Sequence, residues 1–289
     1  MSWVNAVAQG ILLGGLFAMF ACGLSLLFGV IGVINLAHGD FAVLGAYLVI
    51  AIIPSVAFNA MWAVLFVIPI FAVLGYALQR TVLQRSIEID PLTSLLVTFG
   101  LSVVIENGLL EKYSNDSQSL DVGGLVRSAL HVNSQISLSW LNIGILVLAV
   151  IVLSAVQLFL GRTSMGRQIR AVADDREAAE IAGVRTKHVA GIAAAVAFAT
   201  VALAGLCFGS VQQFSPYSGS SLLLFSFEAV IIGGLGSLWG TLAGGILLGV
   251  AQTVGAQIDP SSGQLAGHLV FLAILVLRPS GLFPARATA

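Results

Sequence analysis

Charge is scarce in this sequence. Lys and Arg number 12 and Asp and Glu 13, together 9% of 289 residues, against about 25% in soluble domains. Hydrophobic residues make up 58% of the chain. Residues 41–79 carry no charged side chain, and that run is long enough for two transmembrane helices, since each needs roughly 20 apolar residues. The composition excludes a soluble domain and indicates a polytopic membrane protein.

Several chemical signatures are also missing. The net charge of -1 gives no reason to expect a nucleic-acid partner or a polybasic membrane anchor. Cys22 and Cys207 lie in apolar runs without metal-ligand spacing, and we interpret them as buried spectator thiols, with a disulfide left open. No phosphate-binding loop, HExxH or Gly-x-Ser-x-Gly motif occurs. We therefore expect a chain that is not an enzyme, with no catalytic residue, metal site or cofactor of its own. No basic segment precedes the first apolar run, so we expect no cleaved signal peptide.

The hydrophobic runs predict an all-α polytopic membrane protein with about eight or nine transmembrane helices in a single domain, 1–289. We expect the first two and the seventh and eighth segments to be broken or re-entrant. The nine candidate segments are about 6–30, 40–58, 60–79, 93–111, 140–160, 189–211, 222–238, 241–258 and 265–278.

The Lys and Arg residues predict the orientation, because short cytoplasmic loops carry the excess of positive charge. Arg80 and Arg85, the segment of about 161–188 and the C-terminal Arg278 all become cytoplasmic if the N-terminus lies outside. The loop of about 112–139 is then external. We expect an external N-terminus and a cytoplasmic C-terminus.

Two apolar stretches are interrupted by polar residues or glycine. Interrupted hydrophobic segments in both halves of a chain point to a transport pathway, because irregular backbone at membrane depth is tolerated where it lines a cavity. The alternative is a pair of short turns in which Asp40 caps a helix, His38 lies at the membrane interface and glycines serve helix packing. The candidate pathway residues are Asn35, His38, Gly39, Asp40, Glu228, Gly233, Gly234 and Gly236.

The segment 161–188 is the longest polar stretch and holds half of the basic residues. Asp174 and Asp175 are good helix-starting residues, and Gly183 is a good stop. They predict a helix of roughly two turns, about 12–15 Å long. Its small apolar stripe, formed by Ala178, Ile181 and Ala182, favours docking in a partner's groove over lipid insertion. A solvated connector is the alternative.

Glu177-Ala178-Ala179 followed by Gly183 resembles the EAA loop of ABC-importer permeases, which docks on a cytoplasmic ATPase. The stretches GLSLLFGVIGVINLAHGDFAVLGAY, GRTSMGRQIRAVADDREAAEIAGV, FEAVIIGGLGSLWGTLAGGILLG and LRPSGLF resemble the LivH-type permeases of high-affinity branched-chain amino-acid importers. The resemblance runs from Gly10 to Phe283 and is weakest in the external loop.

The resemblance implies a permease subunit in a bacterial cytoplasmic (inner) membrane, surrounded by lipid. It implies a second homologous permease, two cytoplasmic ATPase subunits that bind ATP and Mg²⁺, and a periplasmic or surface solute-binding protein. The ATPase-coupling residues would be Asp174, Asp175, Arg176, Glu177, Ala178, Ala179 and Gly183.

The substrate and the energy source have alternatives. The family also handles urea and short amides, so these solutes stay open beside branched-chain amino acids. An ion-coupled secondary transporter would use Asp40, Glu106 or Glu228 to carry a proton or cation, because ionisable residues inside a membrane are functional candidates by default. A passive channel for a small polar solute is the remaining alternative.

Overall fold

The computed structural model describes residues 3–56, 60–121, 129–133 and 136–283, which form an all-α polytopic fold with one short antiparallel hairpin. The hairpin pairs β1 (Ala129–Asn133) with β2 (Ile136–Ser139). In chain order, the α-helices of the described residues are α1 (Trp3–Ile31), α2 (His38–Val56), α3 (Ala60–Leu78), α4 (Gln84–Ile89), α5 (Pro91–Tyr113), α6 (Trp140–Arg162), α7 (Ser164–Asp174), α8 (Arg176–Ile181), α9 (Thr186–Val211), α10 (Ser218–Gly233), α11 (Leu238–Ile258) and α12 (Gly263–Leu277).

The predicted pattern of apolar helices is confirmed. Seven helical stretches in the described part of the chain are long and apolar enough to cross a membrane. They are α1, α3 with its continuation into α4, α5, α6, α9, α11 and α12. The apolar helix α10, with 16 residues, is not among these stretches, which agrees with the expectation that some segments are broken. The fold is thus an all-α, multi-pass membrane fold.

Helix α1 lies at the centre of the bundle and is buried along most of its length. It packs closely against α11 through glycines on both helices: Gly10 and Gly14 face Gly245 and Gly249. A side chain at any of these four positions would collide with the backbone of the other helix. Small residues allow this close approach. The other elements pack around α1.

The β-hairpin and the polar segment lie at opposite ends of the bundle. Strand β2 ends where α6 begins, and α7 begins two residues after α6 ends. Because α6 has 23 residues and rises 1.5 Å per residue, about 35 Å separate the two ends. We call them the hairpin end and the α7 end.

Helices α2 and α10 both begin in the middle of the bundle. His38, the first residue of α2, is hydrogen-bonded to the carbonyl of Phe20, well inside α1. Gly219, at the start of α10, touches Asp40 and Gly39. From there, α2 runs toward the hairpin end and α10 toward the α7 end. The chain between Ile31 and His38 therefore re-enters the bundle, which contradicts the alternative that it is an interfacial turn.

The polar stretch after residue 79 is helical and not the loop that Arg80 and Arg85 suggested. A π-helical turn (Gln79–Leu83) continues α3 directly into α4. The break comes later, where Asp90 caps α5 by accepting a hydrogen bond from the N–H of Leu92 (3.1 Å) and Pro91 occupies the first position of the helix. Proline is favoured there because its missing N–H has no partner to lose.

The glycine-rich stretch near the C-terminus is a tight turn at the α7 end, not a break at membrane depth. Gly234 and Gly236 adopt positive φ angles of 103° and 79°, which glycine adopts without strain. Ser237 caps α11 by accepting from the N–H of Gly240 (3.1 Å). In this half of the chain, the membrane segment is instead interrupted earlier, where α10 begins inside the bundle.

Candidate functional site

The predicted start and stop of the coupling helix are where α8 begins and ends. The carboxylate of Asp175 accepts a hydrogen bond from the N–H of Ala178 (3.0 Å). At the other end, Gly183 has a φ of 83°, and its N–H donates to the carbonyl of Glu180 (3.0 Å). The next N–H reaches the carbonyl of Ala179 (2.9 Å), which completes a Schellman motif.

Two details of the prediction are wrong. Asp174 does not start the coupling helix, because it is the last residue of α7 and Asp175 alone caps α8. The helix has six residues, which span about 9 Å and not 12–15 Å. The cause is a second, unpredicted helix, α7, whose hydrophobic face lies against the bundle.

The apolar stripe of α8 points away from the bundle. Ala179 is buried and fixes the helix on the protein. Ala178, Ile181 and Ala182 are exposed, and Ile181 as a residue is 89% exposed. A large exposed apolar side chain beside charged residues is the kind of surface that a partner covers.

Among the described residues, one side-chain hydrogen bond joins α8 to a membrane-spanning helix, and two further contacts join the start of α9 to α4 and α3. The hydroxyl of Thr186, at the start of α9, donates to the carboxylate of Glu180. This bond holds the pKa of Glu180 below its usual value, so the carboxylate is ionised at neutral pH. The Nζ of Lys187 lies 2.7 Å from Oε1 of Glu88 in α4. Finally, Nδ1 of His188 lies 2.9 Å from the hydroxyl of Tyr76 in α3.

A large cavity opens near the α7 end, with a volume of about 1110 Å³. We call it the vestibule. It is lined by the end of α1, α4, α7, the start of α9 and the turn around Gly236. Its charged lining residues are three basic ones and one acid: Arg167, Arg170, Arg176 and Asp174. Its size is typical of a site for a small molecule. The predicted coupling helix and the vestibule therefore occupy the same end of the molecule.

The predicted pathway residues at the start of α2 are buried. Nε2 of His38 donates to the carbonyl of Phe20 (2.9 Å), and its Nδ1 has no partner among the described residues. Oδ2 of Asp40 accepts a hydrogen bond from Ser102 of α5 (2.5 Å). One carboxylate oxygen of Asp40 is therefore bonded to α5. In the re-entrant segment, the N–H of Ala37 donates to Oδ1 of Asn35 (3.0 Å).

Glu228 has a partner that sequence reasoning missed. Its Oε1 lies 2.5 Å from Nδ1 of His268 in α12. Glu228 is buried and the histidine is partly exposed. A lone His in an apolar helix carries no signal in the sequence that would identify this partner. The pair joins α10 to α12.

The structure divides the predicted pathway residues among several places. Asn35 lines a small cavity beside the re-entrant segment. His38, Gly39 and Asp40 lie where α2 and α10 meet. The remaining four lie in α10 or in the turn after it: Glu228, Gly233, Gly234 and Gly236. The coupling residues, in contrast, share one short stretch, and the transport role of each group stays a prediction.

Comparisons with known proteins agree with this architecture. The family model described as "Branched-chain amino acid transport system / permease component" matches residues 6–278. The chain is 27% identical to the high-affinity branched-chain amino acid transport permease BraD of Pseudomonas aeruginosa and 25% identical to LivH of Escherichia coli K12, in each case over 97% of this chain and 95% of the relative. It is also 26% identical to the fructose import permease FrcC of Rhizobium meliloti, over 94% of this chain and 82% of that protein. No solved structure matches.

Proposed function

Because this chain belongs to the family of permease components of branched-chain amino-acid transport systems, we propose that it is the translocation subunit of an ABC importer for branched-chain or related amino acids. It is a multi-pass membrane protein, and its relatives are transport permeases and not enzymes. Separate ATPase subunits, which bind ATP and Mg²⁺, would supply the energy.

The observation that carries this proposal is the exposed apolar face of α8. Ile181 projects from a capped helix, Glu180 joins that helix to α9, and Lys187 joins α9 to α4. A partner that is bound to this face and changes its position would therefore displace membrane-spanning helices. This is what a subunit driven by an external ATPase requires.

The proposal includes the other members of the assembly. Two ATPase subunits would dock at the α7 end, a second homologous permease would pack beside this chain in the lipid, and a solute-binding protein would deliver substrate at the hairpin end. The N-terminus would lie outside and the C-terminus in the cytoplasm. The basic residues at the α7 end support this orientation, since positive charge accumulates on the cytoplasmic side.

Mechanistically, ATP-driven closure of the ATPases would displace α8, which acts as a lever. The displacement would pass through Thr186 and Lys187 to α9 and α4 and switch the vestibule between closed and open states. A pathway that binds substrate weakly suits this cycle, because a pathway that bound substrate tightly would release it slowly.

Co-purification tests the proposal. Wild-type protein from gently solubilised membranes should bring down an ATPase subunit, and the eluate should hydrolyse ATP. Glu177→Arg should lose the ATPase subunit, whereas Glu111→Arg, the same charge reversal at an exposed site in α5, should retain it. Wild-type protein that purifies without an ATPase would refute the coupling role.

A second candidate is an ion-coupled transporter, and two observations favour it. Asp40 has a carboxylate oxygen, Oδ1, without a partner among the described residues, and Glu228 is paired with a histidine in the bundle. Buried acids of this kind carry protons or cations in secondary transporters. Uptake driven by a proton gradient without ATP would support this candidate.

A further inference from the structure

A small cavity lies between the re-entrant segment, the π-helical turn and α5. Its volume is about 10 Å³, which is room for roughly one water molecule. Four polar residues and several apolar ones line it. The polar residues are Asn35, Gln79, Ser94 and Thr98.

Gln79 is the unusual member of this group. Its side chain is fully buried, and neither Oε1 nor Nε2 has a hydrogen-bond partner among the described residues. A buried amide without partners is costly, and proteins keep such groups where a ligand or water uses them. Gln79 also begins the π-helical turn, and such turns are frequent at functional sites.

The lining residues indicate the chemistry of the ligand. Amide and hydroxyl groups both donate and accept hydrogen bonds, and no charged side chain is among the residues that line the cavity in the described part of the chain. Such a set fits a ligand that has donors and acceptors but no net charge. The ammonium and carboxylate groups of a zwitterionic amino acid meet this requirement.

Two isoleucines connect this cavity with the vestibule. Ile31, the last residue of α1, and Ile87, in α4, line both cavities. They lie where the small polar cavity and the large positively charged one approach each other. An apolar pair in this position obstructs the passage of a polar solute.

Helix α4 also contacts the residues that follow the coupling helix α8. Glu88 follows Ile87 and accepts contacts from Lys187 (2.7 Å) and from Nε2 of Gln84 (2.9 Å). Lys187 in turn follows Thr186, which is bonded to Glu180 of α8. A displacement of α8 is therefore transmitted to the residue beside Ile87.

We propose that Gln79, with Asn35, binds the polar groups of the transported amino acid, and that Ile31 and Ile87 form the gate between this site and the vestibule. This inference rests on the proposed function. An amino acid is much larger than the cavity, so binding requires the two isoleucines to move apart. The pathway would then run inside one subunit, between α1, α4 and α5.

Uptake by the purified complex in proteoliposomes tests the site. Gln79→Leu should lower the maximal rate of ATP-driven leucine uptake at least tenfold, since it removes hydrogen bonds to charged groups in the pathway. The apparent KM should stay within about twofold, because the solute-binding protein selects the substrate. Gln79→Asn should recover part of the rate. Gln157→Leu, on the exposed face of α6, is the matched control and should transport normally.

Ile87→Ala tests the gate independently of Gln79. The smaller side chain should raise passive exchange of labelled leucine in the absence of ATP several-fold over wild type. Unchanged exchange would overturn the gate. Normal uptake by Gln79→Leu would show that the cavity holds only a structural water and would overturn the site, while wild-type uptake remains. If wild type shows no ATP-driven uptake, the proposed function fails together with this inference.

Discussion

Replacement of Gly183 by valine should uncouple ATP hydrolysis from uptake while the membrane fold stays intact. The residue has a φ of 83°, and left-handed conformations cost L-residues about 1–2 kcal/mol, with β-branched side chains least tolerant. No atom lies within 4 Å of the position that a Cβ would occupy, so backbone strain is the whole effect. A free-energy change of this size shifts the equilibrium between the capped and the frayed C-terminus of α8 by a factor of about 5–30.

The assay is the number of substrate molecules taken up per ATP hydrolysed in proteoliposomes. Gly183→Val should lower this ratio severalfold, and Gly183→Asn should lower it less, because asparagine tolerates the left-handed region. Gly161→Val is the matched control, since this glycine also has open space around its Cα but no positive φ. If valine at 183 couples as well as wild type, the lever interpretation of α8 is wrong.

Three further substitutions test other contacts. Gly39→Val should lower the free energy of unfolding by about 1–3 kcal/mol, because its side chain would collide with the backbone at the start of α10. Thermal unfolding in detergent measures this loss. His268→Ala should cost about 1–3 kcal/mol by leaving the buried Glu228 side chain without its partner, and addition of Glu228→Gln should restore part of this stability. Lys187→Glu should reduce ATP-coupled uptake with little effect on unfolding, since exposed ion pairs contribute little to stability, and the double reversal with Glu88→Lys should recover uptake.

For each of these three substitutions, one result would contradict the contact on which the prediction rests. Gly39→Val should be compared with Gly100→Val in α5, where no atom obstructs a side chain, and equal stability of the two variants would contradict close packing of α2 on α10. An unchanged unfolding temperature of His268→Ala would show that the pair does not stabilise the bundle. Failure of the double charge reversal to recover uptake would exclude the pair with Glu88 as the transmitting contact.

Much of the fold follows from local sequence patterns. Apolar runs near 20 residues long predicted the spanning helices because the bilayer sets their length. Asp175 and Gly183 predicted the ends of α8 because capping is a local interaction between a side chain or a glycine and a neighbouring backbone group. The polar interruption around Asn35 and Asp40 correctly indicated a broken segment.

The parts that could not be predicted depend on contacts between distant segments. Glu228 is far from His268 in the sequence, and neither residue indicates the other. The burial of Gln79 follows from the return of the re-entrant segment into the bundle, whereas its position beside Arg80 suggested a helix end. The outward direction of Ile181 is set by the packing of Ala179 on α7 and α9, and an apolar stripe alone does not reveal which side of a helix is covered.

The most direct test of the central claim is uptake of radiolabelled leucine by the purified complex in proteoliposomes, with the solute-binding protein supplied on the side where substrate is delivered. We expect uptake that requires ATP and Mg²⁺ on the opposite side and persists when the proton gradient is collapsed. Uptake that proceeds without ATP and disappears with the proton gradient would contradict it and would make Asp40 and Glu228 the residues to test next.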